Sequence, residues 1–161
     1  LWQAIAAGVI DTIGTDHCPF HFRGQKELGR QDFTRIPNGG PGIETRMSLL
    51  YTGGVEAGKI SLNRFVELTA ARPAKLFGLY PQKGTIAPGS DADLAIIDPT
   101  AETVISAATH HSCVDYSLYE GMRVKGMPEC VLLRGEILVR AGKFVGTPGS
   151  GRFLKRSSAS Q

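Results

Sequence analysis

The sequence predicts an α/β unit followed by a smaller β-rich unit, and three observations carry that reading. A short apolar run near the start leads into a long loop, 18–42, dense in glycine and proline. Two helical periodicities follow the loop and complete the strand, loop, helix grammar of an α/β unit. After residue 78 the pattern changes to short apolar runs separated by single glycines, the spacing of a small sheet.

Taken in order, residues 1–7 read as the end of an amphipathic helix with Gly8 as its stop. Residues 9–15, with Val9, Ile10 and Ile13, are long enough for a buried strand and end in Gly14-Thr15-Asp16-His17. Loops as long as 18–42 are uncommon inside compact domains and tend to be functional. Ile43, Met47, Leu50 and Tyr51 recur at helical spacing, giving one apolar face of a helix that Gly53-Gly54 should end. Ser61 is the expected N-cap of a second helix through Leu62, Phe65, Val66 and Thr69. Pro73 opens a further short helical turn ending near Gly78. The expected strands are Thr85-Ile86, 92–97, 131–133 and 137–139. Residues 103–120 are polar and without a clear period, and the tail from Ser157 is expected to be disordered. The organisation is therefore 1–80, 81–150 and a tail, 151–161.

Composition narrows the class. With 161 residues, 42% hydrophobic and 20% charged, the chain can bury a core as a water-soluble globular protein does. A net charge of +3 without a basic stripe interleaved with aromatics argues against nucleic-acid binding. No stretch approaches the roughly 20 apolar residues of a membrane span. The three cysteines are odd in number and dispersed, which argues against a disulfide framework and fits a reducing, cytoplasmic setting. Cys113 and Cys130 are expected to be small buried side chains. The chain opens at Leu1, inside a helical pattern, and 20 glycines with nine prolines leave little room for long elements. We expect a piece of a longer protein.

Asp16 is the first candidate for chemistry, because it ends an apolar run and opens a Gly/Pro-rich loop. Parallel α/β barrels place catalytic groups at such positions. A carboxylate there can ligate a metal or act as a general base, or it can simply cap the loop. His17, Cys18 and His21 are all metal-ligating types, but neighbouring residues on an extended segment point opposite ways. No second cluster completes a zinc shell on its own. His110 and His111 read as surface or packed polar groups. The run Ile36-Pro37-Asn38-Gly39-Gly40-Pro41-Gly42 lets backbone groups approach a ligand closely, or forms a tight turn; it lacks the Gly-Lys-Ser/Thr ending of a phosphate loop.

Gly14-Thr15-Asp16-His17-Cys18-Pro19-Phe20, Gly24-Gln25-Lys26 and the run 36–42 leading into Glu44, Arg46 and Met47 resemble the dihydropyrimidinase and hydantoinase family. The run 84–94 resembles the strand signature of the wider amidohydrolase superfamily, and 106–121 and 149–155 resemble hydantoinase C-termini. The resemblance covers nearly the whole chain. It implies the C-terminal part of a (β/α)8 metallo-dependent hydrolase barrel over 1–80 and strands of a composite β-sandwich over 81–150. It also implies hydrolytic opening of a cyclic imide or ureide, such as dihydrouracil or a hydantoin, to an N-carbamoyl amino acid. The family's final metal-binding Asp falls on Asp16, which would also carry the proton, and its substrate-binding Asn falls on Asn38.

The same resemblance implies two zinc ions sharing a hydroxide. No His-x-His pair occurs among the four histidines, at 17, 21, 110 and 111. The remaining ligands, including a carboxylated Lys, would lie upstream, so this piece alone is expected to be inactive and to need the missing N-terminal portion of the same protein. The family is usually a homotetramer. Two alternatives stay in view. Collapsin response mediator proteins keep the fold as non-enzymatic scaffolds but lose the metal Asp, which this chain keeps. Allantoinases and dihydroorotases share Asp16 and the strand signature but not the loop wording.

Overall fold

The computed structural model describes residues 1–156, and the tail expected from Ser157 lies outside them. The first half is helical. Helix α1 (Trp2–Ala6) ends at Gly8, whose φ of 79° is the left-handed stop read from the sequence. After the long loop, α2 (Arg46–Leu50) continues directly into a wider π turn (Tyr51–Glu56). Helix α3 (Leu62–Val66) starts at Ser61, whose hydroxyl accepts a hydrogen bond from the Arg64 N–H at 3.1 Å. A second π turn (Glu67–Ala71) joins α3 to α4 (Arg72–Leu76), so Pro73 sits inside one continuous rod rather than opening a separate turn.

Two expectations fail here for physical reasons. Gly53-Gly54 do not end the helix; the rod passes through them. A Cβ on Gly53 would lie 3.1 Å, and one on Gly54 2.9 Å, from the Trp2 ring. The glycines make room for an indole rather than breaking a helix. Residues 9–16 form no strand. A strand exists only through hydrogen bonds to a neighbour, and among the described residues pairing begins with one parallel bridge, His17 to Gly40. Ile10 and Ile13 still pack on the core.

The second half is an antiparallel sheet in the order β1-β2-β3-β4: Leu94–Val104, Arg123–Leu133, Glu136–Arg140 and Lys143–Phe144. It contains the expected runs 131–133 and 137–139 and most of 92–97. Thr85-Ile86 is not a strand: the segment bends, and the Ile86 side chain is 87% exposed. Cys113 is exposed rather than buried, because it lies in the irregular surface loop between β1 and β2; Cys130, on β2, is half-buried. Ile5, Leu50, Tyr51, Ile60, Phe65 and Leu68 form the core, with Ile97 of β1 packed against it. β2 is fastened to the first π turn. Thr52 Oγ1 accepts from the Lys125 N–H at 2.8 Å, and Lys125 Nζ pairs with Glu56 at 2.6 Å.

Candidate active site

The site loops begin where residues 9–16 end. Asp16 adopts a left-handed φ of 47°, a conformation Asp tolerates better than most residues, and its side chain is exposed. His17 then bridges to Gly40, and the Cys18 N–H donates to the Gly40 carbonyl at 3.3 Å. His17 turns the other way from solvent. Its Nδ1 accepts from the backbone N–H groups of Gly42 (3.1 Å) and Ile43 (3.3 Å), which places the ring proton on Nε2. That imidazole fastens the loop ahead of α2.

Asn38 lies two residues before the bridge and is exposed. Asp16 and Asn38 are therefore carried by adjacent segments running in the same direction. The close approach of the two segments depends on Gly39. Its φ is 113°, and a Cβ there would lie 2.5 Å from the Cys18 carbonyl oxygen. Lys26, in the short 3-10 turn Lys26–Gly29, donates through Nζ to the Pro37 carbonyl and, at 2.5 Å, to the Gly39 carbonyl.

The β1–β2 loop, 105–122, braces these segments from outside. Asp115 accepts from the backbone N–H groups of Phe22 (2.6 Å) and Arg23 (3.1 Å), and those bonds hold its carboxyl below the ordinary value. The Phe22 ring stands edge-on to Tyr116, centroids 5.8 Å apart. Glu44 accepts from the His111 backbone N–H (2.9 Å), and its Oε1 lies 2.7 Å from His111 Nδ1. Burial pushes the Glu44 carboxyl up, but the hydrogen bonds from His111 and the nearby His110 outweigh it, and the net direction is down. His110 and His111 thus serve as packed polar groups at the loop surface. The bracing role of 105–122 was not readable as periodicity; the acidic residues spaced along a polar stretch were its only signal.

The amidohydrolase family matches residues 1–138. The chain belongs to the amidohydrolase family. It is 59% identical over 157 residues to a D-hydantoinase of Geobacillus stearothermophilus, covering 98% of this chain and 33% of that protein. It is 50% identical over 156 residues to a D-phenylhydantoinase of Escherichia coli O1:K1, covering 97% of this chain and 34% of that protein. Among solved structures, a dihydropyrimidinase from Brevibacillus agri NCHU1002 superposes with a TM-score of 0.97 at 57% identity, over 99% of this chain and 35% of that one. This amidohydrolase chain spans about a third of the length of the curated relatives it matches. Among the described residues, no helix is long and apolar enough to cross a membrane.

Proposed function

We propose that this chain is the C-terminal part of a zinc-dependent hydrolase that opens cyclic amides, dihydropyrimidines and hydantoins, to N-carbamoyl amino acids. The observation that carries it is the His17–Gly40 bridge, which sets Asp16 and Asn38 on neighbouring segments in a chain 59% identical to a D-hydantoinase. Under the same proposal, residues 1–80 belong to the closing part of a (β/α)8 barrel and 81–150 to a β-sandwich. Val9, Leu62, Leu76 and Phe77 are large apolar side chains left exposed, which supports further segments packing on the helical half.

The donor set fits a metal in one respect. Asp16 offers an exposed anionic oxygen at the end of its segment. Among the described residues, no three His, Cys, Asp or Glu side chains gather as a metal-holding group. Asp16 is then one ligand of a shell completed by upstream residues. Zinc, when bound, acidifies the attacking water and polarises the ring carbonyl. Asp16 takes the proton of that water and delivers it to the departing ring nitrogen as the carbonyl C–N bond breaks. Asn38, through its backbone, holds the ring's amide edge so that the carbonyl faces the attacking oxygen.

The test is made on the full-length protein. It should open hydantoin and dihydrouracil and should purify with zinc. Protein that carries no zinc and opens neither ring would be a scaffold, and the reading would fall. Turnover of allantoin or dihydroorotate in place of both would move the substrate assignment.

A further inference from the structure

We propose that Lys26 is a positioning residue for Asn38, gripping the carbonyls of the residues on either side of it and setting the direction and strength of its N–H. This rests on the reading of Asn38 as a substrate contact. A lysine side chain usually keeps its ammonium in bulk water. That of Lys26 is half-buried, and its Nζ donates to the Pro37 and Gly39 carbonyls, the two that flank Asn38. The same ammonium lies 5.4 Å from the centroid of the Phe20 ring, so the start of the same loop holds it as well.

Two consequences follow from the chemistry. The Pro37 carbonyl shares its peptide unit with the Asn38 N–H. Drawing electron density onto that oxygen with a cation makes the N–H a stronger donor to a bound ring carbonyl. The second concerns freedom. Asn38 is followed by Gly39 and Gly40, and Gly39 already sits at a φ of 113°. Glycine pairs wander when nothing holds them. The Gly39 carbonyl is held by Lys26 at 2.5 Å, and the Gly40 carbonyl by the Cys18 N–H at 3.3 Å. Removing the ammonium frees the first of these anchors and leaves the second, so the loop should loosen at Asn38 without losing its tie beside Asp16.

The experiment compares Lys26→Met and Lys26→Arg with the parent in full-length, zinc-loaded enzyme. Lys26→Met should raise KM for hydantoin and dihydrouracil about tenfold or more, the loss expected for one charge-assisted hydrogen bond. Its kcat should stay within about threefold of the parent, a split that marks lost ground-state positioning. Zinc content should be unchanged, and Lys26→Arg should recover part of the KM. Hydrogen exchange at residues 36–40 should accelerate in Lys26→Met. Should that variant fail to fold, Lys26→Gln, which keeps an N–H donor and loses the charge, should show the same KM rise at smaller size. A KM within about twofold of the parent, or unchanged exchange at 36–40, overturns the proposal. So does a loss of kcat and zinc together at constant KM. If the parent opens neither ring, the hydrolase reading fails, and the exchange measurement still decides whether Lys26 holds Asn38.

Discussion

Removing the guanidinium of Arg64 should free the segment that delivers Asp16. Arg64 sits on α3 with its side chain 12% exposed, and it spends that burial on backbone. Its Nε donates to the Ile5 carbonyl at 2.9 Å and one terminal nitrogen to the Ile10 carbonyl at 2.6 Å. The other terminal nitrogen pairs with Glu67 at 2.7 Å. Ile5 lies in the last turn of α1, and its carbonyl also accepts from the Gly8 N–H at 3.3 Å. Ile10 lies in the run that ends at Asp16. Each charge-assisted bond contributes about 1.5 kcal/mol at the low end, so Arg64→Met should cost about 3 kcal/mol. Glu67 is half exposed, and its pair adds only a few tenths of a kcal/mol, roughly, after solvent screening. Through local opening, about 3 kcal/mol corresponds to roughly a hundredfold faster hydrogen exchange at residues 5–16 and 64–71 of the full-length protein. Arg64→Lys should recover about half, because a single ammonium reaches one carbonyl but not the fork of two. A change of less than about threefold in Arg64→Met would refute the reasoning.

Asp16→Asn in the full-length enzyme should lower kcat by about a hundredfold or more and reduce bound zinc, measured by turnover and metal analysis. Phe65 is 2% exposed and meets Tyr51 edge-on at 5.9 Å, so Phe65→Ala should cost about 3–4 kcal/mol, read by denaturant titration. Asp115 has its folded pKa depressed by the N–H groups of Phe22 and Arg23, so its clamp is fully present above the ordinary value of 3.8. The clamp is lost as pH falls through the lower folded value; protection factors of those two amides should hold from neutral pH to about pH 4 and drop below it. Asp115→Asn should lower the same protection at neutral pH.

What was legible in the sequence was local. Ser61 as a cap, Gly8 as a stop and the core positions Leu50, Tyr51 and Phe65 depend on neighbours within a few positions, and the fold has them, whereas Ile43, Leu62 and Val66 of the same expected faces are exposed. The strands at 131–133 and 137–139 alternate with glycine turns that also act locally. Two of the failures are decided at a distance. Gly53-Gly54 follow the needs of Trp2, and 9–15 cannot be a strand without neighbours. For the proposed site, Asp16 stood out by the loop it opens, and Asn38 by the family resemblance of the glycine-rich run around it. Lys26 and Asp115 did not, since a lysine in a polar turn and an aspartate in a loop look the same whether or not they grip backbone.

The clamp of Asp115 on Phe22 and Arg23 joins residues 93 and 92 positions apart. Closing so long a stretch costs chain entropy before any bond is made, and contacts of this span set the pace of folding. A growing polypeptide short of position 115 has no carboxylate to offer those amides. The turn after Asp16 can therefore be clamped in its final shape only once the chain has been made past position 115.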